Sequence, residues 1–182
     1  MSHSKIQKNF TFQAAIHFEN RFMVNLYEMD TKMEIYTEDT REQNIAVERI
    51  THFLGSVIED CLFVSINEKD AINKYSAAGI KVCTVPEAPY DQIIGLILMN
   101  KCNAIMEGKI VMTEILFGSK LSNLIKFELH HELATVEFDG KHWYNEPTLI
   151  TADKFSKKDK IVNLFDHKYD SWEDLDLTWK EI

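Results

Sequence analysis

The densest run of metal-ligand types is His130-His131-Glu132, with His142 a further nitrogen. Neighbours on a strand point to opposite faces, so His130 and His131 cannot serve one ion from within a strand. Neither H-x-x-x-H nor H-E-x-x-H spacing occurs, and these side chains read as rim or surface groups with no metal site assigned. His17 falls on the polar side of an alternating stretch and His52 beside the apolar stripe of a helical one, which makes each a solvent-facing or hydrogen-bonded side chain. G-x-S-x-G is absent, and Gly55-Ser56 lies inside a helical pattern, so nucleophilic hydrolase chemistry has no motif. Neither G-x-G-x-x-G nor G-x-x-x-x-G-K-[ST] is present to cradle phosphates, and no cofactor is expected. The loop Pro86 to Gln92 sits where open α/β sheets hold ligands, but Glu87 and Asp91 complement a helix dipole there and read as a cap.

The least ordinary stretch is the last. Asp166, Asp170, Glu173, Asp174, Asp176 and Glu181 surround Trp172, Leu175 and Trp179, which fall at helical spacing. One reading docks a short terminal helix by its tryptophans onto the parent domain. The other uses Asp170, Trp172, Glu173, Asp174, Asp176 and Trp179 as binding residues, with aromatic anchors inside a charged rim for a basic protein partner.

The elements that must position these residues follow from periodicity. Phe10 to Phe18 alternates strictly and reads as a strand with one buried face. Phe22, Val24 and Leu26 repeat the period, Met29 to Lys32 reads as a turn, and Met33 to Thr37 as a third strand, completing an antiparallel meander. The period then changes to 3.6, with Ala46, Ile50, Phe53, Leu54, Val57 and Ile58 on one stripe and Thr40 with Gln43 as a capping box. Cys61 to Ile66 is an apolar run suited to a strand buried on both faces. A short helix capped by Asn67 and closed by Gly79, a strand from Ile80 to Val85, and a helix through Ile93 to Ile105 closed by Gly108 follow, which together make a βαβαβ crossover series. Lys109 to Phe117 and Ile125 to Leu129 read as strands, and Asp139-Gly140 as the turn of a hairpin pairing Val136 with Trp143 and Glu137 with His142. The fold class is α/β with a mixed sheet, as one domain over residues 1–150. Residues 151–182 read as a loop, with a charge cluster from Lys154 to Lys160, and an acidic aromatic C-terminal helix packed on or tethered to that domain.

Over residues 10–107 this order of strand, strand, strand, helix, strand, helix, strand, helix resembles the RNase H-like fold, whose members include metal-dependent nucleases and integrases. The resemblance implies carboxylates holding Mg or Mn, and Glu42, Glu48 and Asp91 are the residues it would use. The first strand offers His17 and Glu19 where that family places an aspartate, and the end of the fourth offers Asn67.

Bulk properties weigh against that enzyme. The formal net charge of −9 makes the average surface repel phosphate backbones and anionic lipid, so broad duplex nucleic-acid binding and membrane association are not expected. No apolar run approaches the ~18 residues that cross a bilayer. Three cysteines without a C-x-x-C pair fit reduced, buried thiols in a cytoplasmic protein. The expected function is therefore a non-enzymatic acidic binding module, inhibitor- or immunity-like, that engages a basic protein partner, with homo-oligomer formation compatible. The alternative is the metal-dependent RNase H-like enzyme.

Overall fold

A computed structural model describes residues 4–123, 125–137, 142–149 and 171–180. Six strands form one mixed sheet: β1 (Lys5–Phe18), β2 (Arg21–Ile35), β3 (Leu62–Ser65), β4 (Val82–Val85), β5 (Ile110–Ser119) and β6 (Lys126–His130), in the order β4-β3-β1-β2-β5-β6. Strands β1, β3 and β4 run parallel to one another, whereas β1-β2, β2-β5 and β5-β6 are antiparallel. The helices are α1 (Thr40–His52), continued by a π-helical stretch Phe53–Ile58, then α2 (Lys69–Ala77), α3 (Asp91–Met106) and α4 (His131–Glu137). The mixed α/β class and the parallel portion of the sheet are as the periodicity indicates.

The meander differs from expectation. Met29 to Lys32 is not a turn but the middle of the 15-residue β2, with Asp30 opposite Asn9 on one side and Leu116 on the other. Its polar residues are one face of an unbroken alternation: Tyr27, Met29, Thr31 and Met33 are buried, while Asp30 and Lys32 point away from the core. The antiparallel neighbour on the far side of β2 is β5, from after the crossovers. Residues 10–107 therefore run strand, strand, helix, strand, helix, strand, helix, one strand short of the RNase H-like order.

Smaller corrections have local causes. Asp39, not Thr40, caps α1, its Oδ1 accepting from the Arg41 amide at 2.8 Å, while Gln43 Nε2 donates to the Thr37 carbonyl. The residue at the cap of α2 is Glu68 rather than Asn67. The hairpin expected around Asp139-Gly140 is not formed: its first arm ends α4, and its second holds a short 3-10 turn Trp143–Asn145, with residues 138–141 outside the described residues. Polar residues of α3 secure this arrangement. Asn100 Nδ2 donates to the Ala134 carbonyl, and Lys101 Nζ donates to the carbonyls of Trp143, Glu146 and Thr148.

The main core lies between one sheet face and α1, the π stretch and α3, with Phe10, Phe12, Tyr27, Met29, Ile115 and Phe117 supplied by strands. A second, smaller core packs Ala15, Leu62, Val64 and Val82 against Ala71, Ile72 and Tyr75 of α2 on the opposite face. Helix α2 covers β3 and β4 and reaches the adjoining ends of β1 and β2 at Ala15, His17 and Phe22. Beyond these, the outward face of β1, β2, β5 and β6 carries no described helix.

Candidate functional site

Alternation alone decides what this uncovered face displays. With Phe10, Phe12 and Ala14 turned inward, β1 turns Lys5, Gln7, Asn9 and Thr11 outward, and the register places Glu34, Lys32, Asp30 and Glu28 of β2 directly beside them. Strands β5 and β6 extend the rows: Lys32 meets Glu114, which meets His130, and Asp30 meets Leu116, which meets Glu128. Polar side chains far apart in sequence, such as Lys126 and Asp30 at a separation of 96 positions, thus become neighbours.

The face is a lattice of cross-strand ion pairs. Lys126 Nζ lies 3.0 Å from Glu28 and 2.7 Å from Asp30, Lys5 lies 3.0 Å from Glu34, and Lys32 pairs with Glu114. Asn9 also donates to Asp30. The hydrogen bond from Lys126 and then that from Asn9 hold the Asp30 carboxyl below the usual aspartate range, and Glu114 raises the Lys32 ammonium. Five carboxylates (Glu28, Asp30, Glu34, Glu114, Glu128) thereby face three lysines (Lys5, Lys32, Lys126). A shallow concavity of about 350 Å³ opens among Gln7, Asn9, Asp30, Lys32, Glu114 and Leu116. Towards the α2 border the same face changes character, with Phe22 and Val24 exposed and Phe22 leaning on the Tyr75 ring.

The sequence-derived catalytic candidates do not share a cleft. Glu42 sits in the first turn of α1, 2.6 Å from Lys109 Nζ and 2.5 Å from the Thr37 hydroxyl, and Lys109 holds its carboxyl below the usual range. Asp91 begins α3 and accepts from the hydroxyls of Ser119 and Ser122 at 2.7 and 2.6 Å. Lys109 and Ser119 bracket β5, so Glu42 and Asp91 are about 30 Å apart along that strand. Glu48 points to solvent from α1. Asp91 serves as a tie between the start of α3 and the turn after β5, beside Tyr27, whose hydroxyl burial pushes strongly upward in pKa.

The C-terminal candidates divide by chemistry. Trp172 is buried and donates its indole N–H to the Pro147 carbonyl, and Trp179 packs against the core. Glu173, Asp174 and Asp176 are exposed, and Asp170 lies outside the described residues. The segment is one turn rather than a helix: the Leu177 amide reaches back to the Trp172 carbonyl, and Asp176, at φ 56°, reverses the chain. Its tryptophans face the protein's own arginines. Arg49 stacks on both rings, and Arg41 donates to the carbonyls of Thr178, Trp179 and Lys180.

Two histidines are more engaged than their sequence positions indicate. His17 is buried, pairs through Nδ1 with Glu68 and leans on the Tyr75 ring. His130 does not act with His131, which begins α4, but shares its face with Glu128 two positions earlier and with Glu114 across the strand pair. The spacing of Glu128 and His130 was a visible signal; Glu114 was not, because nothing local names the opposing strand. All three cysteines are buried free thiols. Among the described residues no helix is long and apolar enough to cross a membrane. No protein-family model and no curated protein matches the chain.

Proposed function

We propose that the chain is an acidic, non-enzymatic binding module whose uncovered sheet face engages a basic surface on a protein partner. The observation carrying this reading is the five-to-three excess of carboxylates over lysines on a face that carries no described helix, bordered by exposed Phe22 and Val24. Aromatic and aliphatic side chains beside a charged field have the anatomy of an interface: the apolar part gives up water on contact, and the charges steer encounter and reject like-charged partners. The rigid ladder beneath holds the carboxylates in place before binding, which limits the ordering cost of association. Glu173, Asp174 and Asp176 belong to a segment held on the helix-covered side by Arg41 and Arg49 of α1, so they are not counted in this face, and the inward tryptophans of that segment serve the fold.

The test is capture from native cell extract at low and high salt, by the natural chain and by a Glu28→Lys/Glu34→Lys variant, followed by calorimetric titration of the identified partner in purified form. The expected result is a basic protein retained at low salt and released at high salt, with binding by the variant weakened at least about tenfold, as charge reversal at a complementary interface implies. Retention of no salt-sensitive basic protein, or equal binding by the variant, overturns the reading.

A further inference from the structure

We infer that Glu114, Glu128 and His130 form a binding site for a divalent transition-metal ion of the zinc type on the outward face of β5 and β6. One ligand atom from each of the three lies within 4.8 Å of those of the others. Two features of strand geometry bring this about. Glu128 and His130 are two positions apart on β6 and so project from the same face, and Glu114 stands directly opposite His130 in the β5-β6 register. His130 Nε2 already lies 3.1 Å from Glu128 Oε1, close to the separation of two ligands that share one ion at bonds of about 2.0–2.2 Å.

The donor set indicates the ion. One imidazole nitrogen with two carboxylates suits Zn²⁺ and its neighbours Co²⁺, Ni²⁺ and Mn²⁺, whereas Ca²⁺ seeks about six to eight oxygens and Mg²⁺ a near-ideal octahedron of them. The side chains of Glu128 and His130 are 59% and 49% exposed, so both can turn by a rotamer to close on an ion without moving the backbone. Lys32 pairs with Oε1 of Glu114, and the second oxygen of that carboxylate remains to ligate. Three protein ligands leave at least one coordination position for water or a small anion, beside the concavity that Glu114 and Lys32 help to line. This site stands independently of the protein-partner reading, since it needs only this chain and an ion.

The experiment uses the full chain, stripped with chelator and titrated with ZnCl2 by calorimetry and with CoCl2 by visible absorption. Expected are one equivalent of bound metal, a Co²⁺ spectrum of low coordination number, and a melting temperature that rises with Zn²⁺ concentration by mass action. His130→Ala and Glu128→Gln, both exposed substitutions, are expected to weaken Zn²⁺ binding at least about tenfold, since even supporting residues around a metal cost that much. His131→Ala is expected to leave it unchanged. No stoichiometric binding, or binding that survives His130→Ala, overturns the site. Glu28→Lys/Glu34→Lys leaves all three ligands in place, so loss of partner capture and loss of metal are separable results.

Discussion

The guanidinium carbon of Arg49 lies 3.9 Å from the centroid of the Trp179 ring, and 4.6 Å from that of Trp172, so that a buried cation sits between the two tryptophans of the C-terminal segment. Burial draws the Arg49 pKa down, against the opposing pull of Glu107. Its donors are met by the carbonyls of Leu177 and Ile105 and by Glu107. Desolvated stacking of this kind is worth about 2 kcal/mol. Trp179→Ala is expected to destabilise the protein by about 2 kcal/mol in urea denaturation. A double-mutant cycle with Arg49→Met should show a coupling of about 1–2 kcal/mol. Additive losses would mean that the ring is merely covering the arginine. Removal of residues 166–182 should for the same reason cost stability first, because it strips the cover from Arg49.

Gly95 places a second demand on the core. A Cβ there would lie 2.6 Å from Leu129 Cδ1 and 3.0 Å from the Phe117 ring. The leucine tip can rotate away, but Phe117 is fully buried and stacked on Tyr27, so it cannot yield. Alanine in place of a helical glycine ordinarily gains about 1 kcal/mol, whereas overpacking costs about 1–3. Gly95→Ala is therefore expected to lower the urea midpoint despite its better helix propensity; a raised midpoint would show that the β5-α3 interface is loosely packed.

These cases mark where the sequence was readable. The alternation of β1, the all-apolar run of β3, and the left-handed glycines Gly79 and Gly108 after α2 and before β5 are local signals, and each element stands where they indicate. Met29 to Lys32 reads as a break because outward polar residues of a strand look like a turn until their cross-strand partners, Lys126 and Glu114, are in place. Asn100, Lys101 and Asn103 on α3 carried no periodic signal of their own, yet they hold the loop and helix that replace the expected hairpin. The candidate site was only half legible: Glu128 and His130 share a strand, while the pairing of β5 with both β2 and β6 is a property of the assembled sheet.

The β1-β2 turn offers a gain in stability. Glu19 and Asn20 join the strands as a two-residue loop, with φ of 49° and 60°. Such loops favour Asn-Gly, because a left-handed conformation costs a long side chain about 1–2 kcal/mol. Glu19→Asn with Asn20→Gly is expected to raise stability by about 1 kcal/mol, read as a higher thermal midpoint with unchanged secondary structure by circular dichroism. No gain would mean that Glu19 makes a compensating contact in solution.

Lys101 makes stability depend on pH in a calculable direction. Its ammonium is almost fully buried and donates to three carbonyls at 3.1, 2.8 and 2.6 Å, and burial pushes its pKa down to about 7. The unfolded chain keeps this proton up to the ordinary lysine value near 10.5. Between those values the unfolded state therefore holds more protons, and stability should rise with pH, by at most about 1.4 kcal/mol per unit. Cys102 acts the other way: burial raises its thiol to about 12 from 9.0, so the unfolded thiol ionises first and stability falls as pH climbs above about 9. The two slopes cancel between about pH 9 and 10.5, so stability reaches a plateau there and falls above it. Denaturation from pH 6.5 to 11 should show a rising limb that Lys101→Met removes and a falling limb that it leaves. An NMR titration of the Lys101 side chain tests the same point in the natural protein. A midpoint near 10 would show that the three carbonyls offset the cost of burial and hold the charge in place.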